Sequence, residues 1–318
     1  MGSDKFHPKV SIIIPVYNGS KHLNVAIDSA LNQTYSSIEI IVVNDGSCDN
    51  DATKNIALSY GDKIRYIHKE NGGVSSALNE GIRNMTGEYF SWLSHDDMYH
   101  PEKIEKQVRA LENTDENTLA LCAFAFMDKN GNHFKGKHRA RLKQGFHKWN
   151  DALCRMYSNG TFNGCALLVP KNIFDHIGNF DETLKYSQDS FMWMNIFLNE
   201  YNVVGIDEVL VYNRIHDNQL TQTGKEIFHS DSKKISQVII PKILTKRAYT
   251  SDLLCAYASY NAKHRNKAVV EKCLNAGSEN KLLSQSQILK IRLMGLYGAI
   301  RPIIRKLYYK IFKKVKTQ

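Results

Sequence analysis

Two adjacent carboxylates, Asp96 and Asp97, close a short apolar run: Glu88-Tyr89-Phe90-Ser91-Trp92-Leu93-Ser94-His95-Asp96-Asp97. Charges set directly after a buried strand are costly unless something neutralises them. A hard divalent cation does so, because carboxylate oxygens suit Mg2+ or Mn2+ and the open positions can go to substrate phosphates. The plainer alternative is a solvated loop in which Asp97 caps the helix opening near Pro101. Asp45 has a similar place, after the apolar run 38–43 and inside Asn44-Asp45-Gly46-Ser47. At a strand's carboxyl end it can accept from the N–H of a planar base, with the ring of Tyr17 offered nearby. Equally, Asp45-Gly46 can make the turn while Ser47 or Asp49 caps the next helix.

The elements that must carry these residues alternate. The spacing predicts strands over 10–16, 38–43, 64–68 and 88–93, and helices over 21–33, 49–60 and 74–85. Such alternation argues for a mostly parallel sheet covered on both faces, with ligands beyond the carboxyl ends of its strands. The loops 15–18, 44–47 and 94–97 all fall there. A hairpin is expected around 119–127 and the turn Asp128-Lys129-Asn130-Gly131, then a strand over 165–169, a helix over 190–199 and one or two strands over 203–212. Beyond about residue 222 the pattern is wholly helical, with segments 230–244, 251–263, 266–276 and 284–311.

A chain of 318 residues with 42% hydrophobic and 23% charged content has the material for a large folded core. No stretch approaches the ~20 apolar residues of a membrane span, and the N-terminus has no signal-peptide pattern. The six cysteines lack zinc-ligand spacing and are expected to be reduced thiols, which suits the cytosol. Neither G-x-G-x-x-G nor GxxxxGK[ST] occurs, which removes the dinucleotide fingerprint and the P-loop.

Taken in order, Ser-Ile-Ile-Ile-Pro-Val-Tyr-Asn (11–18), Ser-Ala-Leu-Asn-Gln-Thr-Tyr (29–35), Val-Val-Asn-Asp-Gly-Ser (42–47), Asn-Gly-Gly-Val-Ser-Ser-Ala-Leu-Asn-Glu-Gly (71–81) and Ser-His-Asp-Asp (94–97) resemble the family 2 glycosyltransferases. The match covers about residues 9–217. It implies a GT-A fold: α/β, a Rossmann-like nucleotide-binding mixed sheet flanked by helices, here followed by a C-terminal helical region. The implied division is a glycosyltransferase domain over 1–221, with a nucleotide-binding half (9–98) and an acceptor half (99–221), then a helical region over 222–318.

The resemblance further implies roles. Pro15, Val16, Tyr17 and Asn18 would line the nucleotide pocket and Asp45 would read a uracil edge. Asn71, Gly72 and Gly73 would lie along the nucleotide, with Ser76 and Asn79 contributing. Asp96, Asp97 and the late His216 would hold Mn2+ or Mg2+ on the donor diphosphate, Asp96 most directly. Asp189 would be the general base, beside Gln188 and Trp193 on the acceptor side. Read from residue types alone, Asp189 also fits an N-cap for the helix from Ser190, Trp193 fits a core residue and His216 a structural one.

Where the family often has acids or Arg, this chain has Ser20, Leu78, Ser94 and Gln188. The loss at Leu78 leaves phosphate charge to the metal, Lys69 or Arg214. The expected activity is inverting transfer of a hexosyl or N-acetylhexosaminyl group from a nucleotide-sugar, by resemblance a UDP-sugar. The acceptor would be a hydroxyl of a glycan or lipid-linked saccharide in surface-polysaccharide synthesis. A non-catalytic GT-A relative that binds nucleotide or scaffolds an assembly complex is the alternative. A nucleotidyltransferase ranks last, because Pro15-Val16-Tyr17-Asn18 is neither glycine-rich nor basic.

Net charge is +10, and residues 301–318 hold seven Lys or Arg and no acid. Ile304, Leu307, Tyr308, Ile311, Phe312 and Val315 recur among them at three- and four-residue spacing. That pattern suits an interfacial helix on an anionic membrane, placing the protein on the inner face of the cell membrane. A helix packed on its own domain with a solvated basic face is the alternative. No nucleic-acid motif accompanies the charge. The helical region could also support a homodimer.

Overall fold

A computed structural model describes residues 6–139, 141–215 and 225–315. The chain divides into two compact units: Met1–Ala152 with Thr161–Lys225, and Leu153–Gly160 with Glu226–Gln318.

The first unit is built on a ten-stranded mixed sheet. Its parallel part sets β1 (Val10–Val16) between β2 (Ile38–Asp45) and β4 (Tyr89–Trp92), with β3 (Arg65–Lys69) outside β2. All seven residues of β1 are buried, as a strand covered on both faces requires. Helices α1 (Leu23–Leu31), α2 (Ala52–Leu58) and α3 (Val74–Asn84) fill the crossovers. Because β2, β1 and β4 run the same way side by side, the loops after Asp45, Val16 and Trp92 open at one sheet edge.

The sheet then reverses. Antiparallel β9 (Leu167–Pro170) joins β4 to β6 (Thr118–Met127), and β6 pairs in parallel with β10 (Asn202–Arg214). The pairing of β10 shifts register between Ile206 and Val209 and again by Val211, so one long strand stands where one or two short ones were expected. The two-residue β5 (Met98–Tyr99) pairs with β10, which brings residues 96–99 beside 211–214. Strands β7 (His133–Arg139) and β8 (Gly145–His147) add to β6 and β10. Helices α4 (Lys103–Leu111), α5 (Trp149–Asn159), α6 (Asn172–Ile177) and α7 (Gln188–Leu198) complete the unit, save that α5 from Leu153 onward groups with the second. Strands β5 and β8 lacked a periodic signal because two or three residues cannot show one.

The second unit is helical: α8 (Lys225–Leu244), α9 (Thr250–Lys263), α10 (Lys267–Glu279) and α11 (Gln285–Val315). Its core includes Tyr157, Leu253, Leu254, Tyr257, Val269, Cys273 and Ile291. Gly298 of α11 lies so close to α9 that an added Cβ would meet the Lys263 carbonyl oxygen. None of the described helices is long and apolar enough to cross a membrane.

Candidate active site

The ends of β1 and β2 are laced together. Asn18, at φ +49°, donates its backbone N–H to the Ser47 hydroxyl oxygen at 2.9 Å, and its side-chain oxygen accepts from the Cys48 N–H at 2.8 Å. Tyr17 is 46% exposed, with its hydroxyl 3.5 Å from the Cys48 sulfur. Its ring is thus presented to solvent on a fixed loop, while Pro15 and Val16 are buried in the strand beneath. Gly46 turns the chain at φ +69°, and any Cβ there would stand 2.7 Å from the Asn71 nitrogen, so the turn after Asp45 admits only glycine.

Asp45 is 3% exposed and organises the neighbouring loop. Its Oδ1 accepts from Lys69 Nζ at 2.7 Å and from the Gly72 N–H at 3.0 Å; its Oδ2 accepts from the Gly73 N–H at 2.7 Å. A carboxylate has about four acceptor positions, so one on Oδ2 is left for a base N–H. The Gly72 and Gly73 amides, expected to lie along the nucleotide, are both turned onto Asp45. Lys69 is likewise engaged there. The Asn71 side chain donates to the Asp45 carbonyl oxygen at 2.9 Å, and the Ser76 hydroxyl packs against Gly72.

Asn79 does not face this loop. Its amide donates to the Phe180 carbonyl oxygen at 2.9 Å and to Glu182 Oε1 at 2.8 Å, and its oxygen accepts from the Phe180 N–H at 2.9 Å. Every strong hydrogen-bonding atom of a buried amide is spent on the 180–182 segment, so its expected nucleotide contact is replaced by a clamp. Leu78 is wholly buried, consistent with the absence of a phosphate-binding arginine there.

The acidic loop after β4 is held from several sides. Asp97 is 4% exposed; its Oδ1 accepts from the Arg214 N–H at 2.9 Å and its Oδ2 from the Asn213 amide at 2.7 Å, with the Cys165 thiol at 3.6 Å. Burial, and then the charge of Asp96, push the Asp97 carboxyl well above the usual carboxylate range. Asp97 is therefore an anchor rather than an open metal ligand, which corrects that expectation. It is no helix cap either, since α4 starts six residues later behind Glu102.

Asp96 is half-buried. Its carbonyl oxygen accepts from Arg214 Nε at 2.9 Å, which brings the buried Arg214 guanidinium under the loop. Below, the Tyr99 hydroxyl lies 2.8 Å from Ser91 Oγ, and Lys103 Nζ donates to the same Ser91 oxygen at 2.9 Å while sitting 4.0 Å over the Tyr99 ring. Burial brings the Lys103 ammonium down to about 8.

Asp189 lies in the first turn of α7, whose N-cap position belongs to Ser187. Its Oδ1 accepts from the Ser190 N–H and, at 3.1 Å, from the Ser190 hydroxyl. Burial raises its carboxyl to about 6 in spite of these bonds. Beside it Gln188 is 8% exposed, and its Oε1 has no hydrogen-bond partner. Trp193 is 1% exposed and meets Phe180 edge to face at 5.9 Å. It belongs to the core and has no open face for a sugar, which corrects its placement on the acceptor side.

The sequence model for "Glycosyl transferase family 2" matches residues 11–178, more than half the chain. This chain belongs to glycosyl transferase family 2. An uncharacterized glycosyltransferase of Rickettsia typhi is 48% identical over 227 residues, 70% of this chain and 69% of that protein. A similar one of Rickettsia bellii is 49% identical over 216 residues but is much longer, so the match spans 31% of its length. The crystal structure of S. aureus TarS 1–349 in complex with UDP-GlcNAc gives a TM-score of 0.69 at 18% identity, covering 94% of this chain and 92% of that one. The corresponding UDP complex gives 0.68 at 18% identity, covering 94% and 91%. The likeness is one of fold: GT-A, with a C-terminal helical region.

As a metal site, this family 2 glycosyltransferase offers little protein. Among the described residues no group of three or more His, Cys, Asp or Glu could hold an ion, and His216 lies outside them. Asp96 fits a magnesium-like ion, which needs only one or two carboxylates once phosphate oxygens and waters fill the rest. Its charge also bears on buried Asp97, a strain that a bound cation would relieve. The motifs pointed to the loop itself but not to its supports Arg214, Asn213, Cys165 and Lys103, which come from other strands and helices.

Proposed function

We propose that this glycosyltransferase is inverting and metal-dependent, moving a hexosyl or N-acetylhexosaminyl group from a UDP-sugar to a hydroxyl of a glycan or lipid-linked saccharide in surface-polysaccharide synthesis. Residues 1–221 form the catalytic domain, with 9–98 serving the donor and 99–221 the acceptor. The observation that carries the reading is Asp189, a carboxylate brought by burial to about 6. A base with a value near the working pH is ionised yet still able to take a proton. The UDP and UDP-GlcNAc held by TarS support the choice of donor.

Tyr17, Asn18 and the open position on Asp45 bind the nucleoside, and the loop 71–73 borders it. A divalent cation held by Asp96 would neutralise the diphosphate as charge develops on it. Asp189 takes the proton of the acceptor hydroxyl as that oxygen bonds to the anomeric carbon and the bond to the diphosphate breaks. Inversion in one displacement needs no protein nucleophile, so a single carboxylate suffices. Gln188, with its orphaned oxygen, receives a hydroxyl of the acceptor.

The test is UDP release from a panel of UDP-sugars with Mn2+ or Mg2+, followed across pH. Activity is expected to fall as pH drops through about 6. Asp189→Asn should lower the rate by ~10²–10⁴, and Asp96→Ala or chelation should abolish it. Full activity in Asp189→Asn would defeat the assignment of the base, and UDP binding without turnover would favour the non-catalytic alternative.

A further inference from the structure

Leu289, Leu293, Leu296, Tyr297 and Ile300 of α11 are each about half exposed, from 49% to 58%. At ~100° per residue their spacing places them on one stripe. The opposite side of the helix is the one already packed: Ile291 is 1% exposed and Gly298 abuts α9. The stripe is therefore a second apolar face. Lys290 and Arg301 border it along one edge and Arg292 along the other, all three exposed.

The charge around this face names its partner. From Lys281 to Gln318 the chain has ten Lys or Arg and no Asp or Glu. A second copy seated on the stripe would set basic edges against basic edges with no acid to pair them. An anionic bilayer supplies both an apolar layer for the stripe and phosphates for its edges, and Tyr297 is a side chain suited to that boundary.

We infer that the 289–300 stripe of α11 is a membrane-docking face, lying in the plane of an anionic lipid surface with Lys290, Arg292 and Arg301 at headgroup level. It rests on the reading that the enzyme works at a membrane, and it sets the anchor upstream of the basic tail beginning at Arg301. The same spacing runs on in the sequence through Ile304, Leu307 and Ile311.

The full chain would be sedimented with vesicles of phosphatidylcholine alone and of phosphatidylcholine mixed with phosphatidylglycerol. Binding is expected only with the anionic lipid, and Leu293→Gln with Leu296→Gln should weaken it about tenfold to a hundredfold at unchanged melting temperature and UDP-sugar turnover. In a separate variant, Leu296→Trp should add emission that shifts to the blue on vesicle addition. Unaltered binding by the glutamine variant, or no blue shift while the protein sediments with vesicles, would overturn the stripe but leave membrane attachment through the tail standing. No sedimentation with any vesicle would overturn both. A concentration-dependent dimer abolished by the glutamine variant would instead make a second copy the occupant and overturn the lipid assignment.

Discussion

The base proposed at Asp189 would have to hold a proton more tightly than aspartate does in water, and burial brings its carboxyl to about 6. The same shift bears on stability. Because the folded-state value is raised, the native protein favours the protonated form. The advantage is present at low pH and is lost as pH rises through about 6. Asp189→Asn, which keeps the shape without the charge, should therefore be more stable than the parent at pH 8 by on the order of 2 kcal/mol. The gap should close as pH falls toward ~4, the value of an unperturbed aspartate. Thermal melts of both proteins across that range check it, and a pH-independent gap would count against the buried carboxylate. Asp189 was singled out as a candidate by its place in Ser187-Gln188-Asp189-Ser190; its environment was not legible, because desolvation comes from side chains far away in sequence.

Among elements, the sheet edge after β2, β1 and β4 was readable because each strand is a continuous apolar run ending in a polar loop. What the loops attach to was not. Asn79 stands in a motif that suggests a ligand contact, yet its amide bonds a backbone 101 positions further on. Asn79→Ala would leave the Phe180 N–H and carbonyl without their partners, at a cost of about 2–3 kcal/mol. Denaturant unfolding should register that loss as a lower midpoint with an unchanged slope. Trp193 shows the converse: an aromatic residue next to an expected base invites a sugar, and only packing against Phe180 reveals it as core.

Across the whole molecule, basic charge gathers at the carboxyl-terminal end, while the loops after β1, β2 and β4 and Asp189 belong to the first unit. Each basic residue near an anionic surface contributes ~1 kcal/mol, and the attraction is screened by salt. Replacing Lys310, Lys313, Lys314 and Lys316 with Glu should release the protein from anionic vesicles, and raising ionic strength should weaken binding of the parent. Undiminished binding by the charge-reversed protein in a sedimentation assay would remove the tail from the account.

Sequence by itself determined the family, the order of strands and helices from β1 to β4, and the loops in which carboxylates gather. These follow from local periodicity and from short motifs read in order. Tertiary structure alone decided which carboxylates stay available. Asp97 is consumed by backbone and side-chain donors from a distant strand and Asp45 keeps one acceptor position beyond those its neighbouring loop takes, whereas Asp189 is dried by its surroundings. It also decided that the apolar residues of α11 divide between a packed side and an exposed stripe. A helical repeat marks where apolar side chains stand, but only packing against α9 shows which of them already have a partner.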